Sequence, residues 1–127
     1  MPRSPASVRP DRRRAERHGR YAEVLAALFL RAKLYAIRET RFKTPVGEID
    51  LIAERFGVTV FIEVKARRAD HGEAEALEAV NAGRISRAAQ YYLARNPHLA
   101  DTPLRFDVIF VAPRAWPRHV VNAFDAS

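Results

Sequence analysis

The chain has no cysteine. That excludes disulfides, thiolate catalysis and cysteine metal sites, and makes a reducing compartment, the cytoplasm, the natural reading. No apolar run approaches the ~18–20 residues that cross a membrane; the longest, Val24 to Leu30, lies inside a helical pattern. Glycine-rich phosphate loops and nucleophile triads are missing, so no organic cofactor is expected. His18, His71, His98 and His119 have no metal-ligand spacing among themselves. Negative charge is scarce at the start: residues 1–20 hold seven arginines against Asp11 and Glu16, a surplus of five, whereas the rest of the chain carries only +2. Such a basic arm either tracks a polyanion, with DNA the leading candidate, or is a solvated leader; composition favours neither. The opening Met1-Pro2-Arg3-Ser4-Pro5 lacks the apolar core of a signal peptide, and three prolines by residue 10 with two acids weigh against an organelle transit peptide.

At 127 residues the chain is long enough for one hydrophobic core. Residues 1–11 have no apolar periodicity and are expected to be a disordered basic tail, leaving 12–127 as a single domain. From about Arg12 to Leu34 the pattern is helical. Tyr21, Val24, Leu25, Leu28, Phe29 and Ala32 form one apolar stripe, and Gly19, Ala26, Leu30 and Leu34 a second, so both sides are expected to be covered. Tyr35 to Phe42 alternates as a strand, followed by a Thr44-Pro45-Val46-Gly47 turn. Gly47 to Ala53 and Val60 to Lys65 alternate with period two around Phe56-Gly57, a hairpin signal. A second helix is predicted from about Glu73 to Arg95, ended by Asn96-Pro97, with Leu77, Val80, Ile85, Ala88, Ala89, Tyr92 and Leu93 inward. Leu104 to Val111 reads as a strand buried on both faces and Val120 to Phe124 as a short last strand. The order α-β-β-β-α-β-β predicts an α/β fold, a mixed β-sheet flanked by helices.

A turn centred on Phe56-Gly57 pairs Asp50 with Glu63 and Glu48 with Lys65, and puts Ile49, Leu51, Ala53, Val60, Ile62 and Val64 on the other face. Directly opposed side chains lie only about 4.5–5.5 Å apart at Cβ, where like charges are destabilising. Two opposed carboxylates call for a cation, and an oxygen-loving divalent ion such as Mg²⁺ or Mn²⁺ satisfies both. Lys65, two residues beyond Glu63, can orient a water or steady charge on a phosphate; its bland role is a cross-strand ion pair with Glu48. Glu23 falls on the second helical stripe, where a carboxylate is unfavourable unless paired or metal-bound. Asp107 is expected to anchor a neighbouring group beside the sheet. Arg67, Arg68, Arg84 and Arg87 are candidate phosphate contacts, with Arg12, Arg13 and Arg14 in the basic arm. Tyr91, Tyr92 and Trp116 could stack on bases, with packing the simpler role.

Gly47-Glu48-Ile49-Asp50-Leu51-Ile52 followed by Phe61-Ile62-Glu63-Val64-Lys65-Ala66-Arg67, with Arg105-Phe106-Asp107 and the Ala88-Ala89…Tyr92-Leu93 helix, resembles the YraN-like uncharacterised bacterial protein family over about residues 19–124. That family resembles the restriction-endonuclease-like superfamily, whose pattern is an acid, then D-x(n)-(D/E)-x-K. The resemblance implies a restriction-endonuclease-like fold, with Asp50, Glu63 and Lys65 in that signature and Glu23 as the acid from the first helix. It implies a Mg²⁺- or Mn²⁺-dependent endonuclease acting on DNA, with branched or repair intermediates among the candidate substrates. It also implies a homodimer, by similarity to archaeal Holliday-junction resolvases. The alternative is a non-catalytic DNA-binding or partner-docking module that retains the fold. Ala22-Glu23 stands where many members have Gly-Glu, which leaves the acid in place. Asn81 stands where a lysine is expected early in the second helix, which removes a substrate contact.

Overall fold

The computed structural model of the protein describes residues 20–67 and 82–124. A helix over residues 20–32 (α1) comes first. It is followed by β1 (Ala36–Thr44), β2 (Gly47–Arg55), β3 (Val58–Lys65), helix α2 (Ala82–Arg95), a 3₁₀ turn (Pro97–Leu99), β4 (Leu104–Phe110) and β5 (Arg118–Val120). The five strands form one sheet in sequence order. Pairings are antiparallel except β3–β4, which are parallel because α2 carries the chain back across the sheet. This is the predicted mixed sheet between helices. The basic tail, Arg12, Arg13, Arg14, Arg68, Leu77, Val80 and Asn81 lie outside the described residues.

Alternation along the strands assigns the two faces. Leu51, Ala53, Val60, Ile62, Ile109 and Val111 pack under Ala22, Ala26, Ala27 and Leu30 of α1. Ile52, Phe61 and Phe106 pack under Ala88, Ala89 and Tyr92 of α2. Residues 106–110 of β4 are buried throughout, as expected of a strand covered on both faces, with Asp107 the one charged residue among them. The first helical stripe is only partly covered, because Tyr21, Val24 and Leu28 are exposed and the small Ala22, Ala26 and Ala27 make the contact instead. Helix α1 stops at a left-handed Leu34 (φ 71°), whose N–H bonds Arg31 O (3.0 Å) while the N–H of Tyr35 bonds Leu30 O (3.0 Å). That pair of bonds is a Schellman cap.

The β2–β3 turn is a two-residue loop with positive φ at both Phe56 (53°) and Gly57 (79°), the type I′ geometry whose twist suits a hairpin. It sets the predicted register, from Arg55↔Val58 to Leu51↔Ile62. Two expectations shift. The last strand is Arg118–Val120 rather than Val120 to Phe124. The chain turns instead at Asn122 (φ 54°), whose N–H bonds Asp107 Oδ1 at 2.9 Å. Ile49 packs with Phe42 and Ile52 on the α2 side rather than with Leu51 on the α1 side. The change of face falls where Arg41, at φ 54°, lies across β1–β2 from Asp50.

A polar network is buried between the end of α1 and β4–β5. Asp107 accepts two bonds from Arg105 (2.9 and 2.8 Å) and one from Asn122 N–H, and lies 2.7 Å from His119 Nε2. Arg105 also donates to Tyr35 Oη (2.6 Å), and Lys33 Nζ is 2.8 Å from His119 Nδ1. Asp107 therefore anchors its neighbours beside the sheet.

Candidate metal centre

The site begins where the β2–β3 ladder stops. The last backbone pair is Leu51↔Ile62. By antiparallel alternation the N–H of Val64 would next bond Ile49. It bonds Asp50 Oδ2 instead, at 2.8 Å. A carboxylate inserted into the ladder parts the strands and opens a cleft of about 350 Å³ lined by Glu48, Asp50, Glu63, Arg84 and Ile85 among others. Gly47 fits beneath Arg84: a Cβ there would meet Arg84 Nε at 2.6 Å, and its φ of 152° is strained for any other residue.

Three carboxylates converge beside this cleft, Glu48 and Asp50 from its wall and Glu23 from a separate groove along α1. One oxygen each from Glu23 of α1 and from Glu48 and Asp50 of β2 lies within 4.8 Å of the others. Arg41 bridges two of them, its Nε 3.6 Å from both Glu23 Oε1 and Glu48 Oε1. Glu63 stands beside this trio and pairs with Lys65 (Oε1 to Nζ, 3.0 Å). The cross-strand Glu48–Lys65 pair expected from the register therefore does not form. The ladder has ended before Glu48, and Lys65 reaches its own i−2 neighbour.

The crowding is legible in proton affinity. Burial, and the charges of Glu23, Glu63 and Glu48, push the Asp50 carboxyl from 3.8 up to about 7 against the opposing Val64 bond. Burial also raises Glu23, with Arg41 opposing and Glu48 adding to the shift. Mg²⁺–oxygen distances of about 2.0–2.1 Å place opposite ligands some 4 Å apart, so three oxygens within 4.8 Å need only small movements to share an ion. The all-oxygen donor set suits a hard cation such as Mg²⁺, Mn²⁺ or Ca²⁺.

Glu23, Asp50, Glu63 and Lys65 thus gather at one end of the sheet. Arg84 lines the same cleft, Arg67 is exposed just past β3, and Arg87 is exposed on α2. Sequence reasoning missed two residues. Glu48 is two positions from Asp50, and that spacing on one strand was the available signal. Arg41 had none, because its left-handed backbone in a strand cannot be read from an arginine.

A family model described as "Uncharacterised protein family UPF0102" matches residues 22–111. A UPF0102 protein of Bradyrhizobium sp. is 48% identical over 126 residues, covering 99% of this chain and 89% of the relative. One from Rhodopseudomonas palustris is 48% identical over 118 residues, 93% and 91%. One from Parvibaculum lavamentivorans is 48% identical over 110 residues, 87% and 83%.

Proposed function

The chain belongs to the uncharacterised protein family UPF0102, and we propose that it is a metal-dependent endonuclease hydrolysing phosphodiester bonds in DNA. The observation that carries this reading is the convergence of Glu23, Glu48 and Asp50 on one point, with the Glu63–Lys65 pair beside it. The α-β-β-β-α-β-β order agrees with a restriction-endonuclease-like fold. Fold alone does not dictate function, so the chemistry of the site bears the argument. Asp50, Glu23 and Glu48 would hold Mg²⁺ or Mn²⁺, with Glu63 as the further acid.

Such an ion supplies an activated water and charge stabilisation at phosphate. The other roles belong to the chain. Glu63, the acid beside the three ligands, accepts the proton of the attacking water. The water oxygen bonds phosphorus, one P–O ester bond breaks, and the departing strand end takes a proton from solvent. Lys65 directs its ammonium group at the phosphate as negative charge builds there. Arg84, in the same cleft, and Arg67 and Arg87, on exposed surface, meet flanking phosphates.

The test is incubation of end-labelled single-stranded, duplex, flapped and branched DNA with Mg²⁺ or Mn²⁺. Wild type, Asp50→Asn and Lys65→Ala are compared, and DNA affinity is measured in parallel. Cleavage by wild type is expected to fall on the order of 10²-fold or more in both variants while affinity changes little. DNA binding with no cleavage of any structure would make the protein a non-catalytic DNA-binding module.

A further inference from the structure

A second cavity, about 610 Å³, lies on the far side of α1 from Arg41. Its walls include Tyr21 and Leu25 of α1, Ala66 after β3, Val111 after β4, and Arg114 and Trp116 of the following loop. Two large aromatics stand open to solvent there, Trp116 at 89% and Tyr21 at 66%. Arg114 is the one charged residue among the described residues that line it. Apolar walls, exposed rings and a lone cation match an aromatic ring attached to an anionic backbone.

Its position relates it to the acid cluster at two points. Ala22 lines the cavity while its neighbour Glu23 joins the carboxylates. Ala66 lines it while Lys65 pairs with Glu63. The backbone is tied at this seam by Val111 N–H to Lys65 O, 2.8 Å. Cleft and cavity lie on opposite faces at the same end of β3, so a strand whose phosphate lies at Lys65 reaches the cavity by crossing that end of the sheet.

We infer that this cavity is a nucleobase site, receiving an unpaired base of the DNA strand whose phosphate lies at the carboxylate cluster. This rests on the reading of that cluster as a nuclease site. In a duplex both faces of a base are covered by its neighbours, so a ring-lined cavity takes only a base that has left the stack. The preferred substrate is then single-stranded DNA, or the unpaired segment of a flap or branch, rather than continuous duplex.

Trp116 is the only tryptophan in the chain, so intrinsic tryptophan emission reports on this cavity alone. The experiment titrates a single-stranded oligonucleotide, and a duplex of equal phosphate number, into Asp50→Asn protein in chelator, where nothing is cut. Single strands are expected to quench Trp116 and duplex to do so far less. In parallel, by anisotropy of a dye-labelled oligonucleotide, Trp116→Ala, at an exposed position that leaves the core intact, should weaken single-strand binding roughly five- to 150-fold, the equivalent of about 1–3 kcal/mol for one stacked base. Duplex binding should stay unchanged, and Trp116→Phe should restore most of the loss. Absence of quenching at saturation, equal quenching by duplex, or unchanged single-strand affinity in Trp116→Ala would overturn the assignment. The last would leave Trp116 free to meet a protein partner instead. Because the readout is binding without metal, its failure is separable from failure to cut.

Discussion

Asp50 and Asp107 occupy the same sheet and have opposite electrostatic fates. Asp107 is the more deeply buried, wholly shielded from solvent. Burial alone would raise its proton affinity, yet bonds from His119, Arg105 and the Asn122 backbone hold it below the usual carboxylate range. Asp50 is less buried, has one backbone bond, and faces Glu23, Glu63 and Glu48. Its carboxyl rises to about 7. Burial raises both acids, and only at Asp107 do the bonding partners together outweigh it. Asp107 is a completed structural knot, whereas Asp50 sits in a site short of positive charge, the condition a metal ion relieves.

The largest effect expected from breaking this comparison is at Asp107. Asp107→Ala leaves Arg105 and His119 facing each other across a buried void, and should destabilise the protein by about 3–5 kcal/mol in chemical denaturation. A loss under ~1 kcal/mol would mean the network is incidental.

Asp50→Asn should do the reverse. Folding favours the neutral form of Asp50. Its contribution is therefore fully present below about 3.8 and lost as pH rises to about 7. Above that the folded chain carries the whole cost of ionisation, at most roughly 4 kcal/mol at about 1.36 kcal/mol per pH unit. Asparagine keeps an oxygen for Val64 N–H and cannot ionise. In chelator, Asp50→Asn is expected to exceed wild type by roughly 2–4 kcal/mol near pH 8.5 and to match it near pH 4. An unchanged gap between the two conditions would refute the crowding argument.

A smaller effect is expected at Arg41, the cation that already bridges Glu23 and Glu48. It is partly exposed, so its repulsion of an incoming ion is worth about 1 kcal/mol. Arg41→Ala should therefore bind Mn²⁺ about five- to tenfold more tightly in a calorimetric titration. Weaker binding would show that Arg41 organises the carboxylates rather than occupying their place.

The sheet was legible in the sequence because period-two alternation and the Phe56-Gly57 turn are local signals, and the observed register follows from them. The carboxylate site was only half legible. Asp50, Glu63, Lys65 and Glu23 stand out by residue type and phase. The insertion of Asp50 into the ladder is a tertiary event, and it moved Glu48 from Lys65 toward Glu23. The left-handed Arg41, across from where Ile49 changes face, and Asn122, where the chain turns after β5, carry no glycine to announce them. Trp116 had packing as its simplest role, and only the structure shows it exposed.

The central claim is that Glu23, Glu48 and Asp50 form a divalent-metal site. Isothermal titration of Mn²⁺ into wild type, Asp50→Asn and Glu23→Gln tests it most directly. The account predicts one saturable site in wild type, weakened at least tenfold in each variant, with a matching loss of the metal-induced rise in Tm. Equal affinity and equal stabilisation in all three proteins would contradict it.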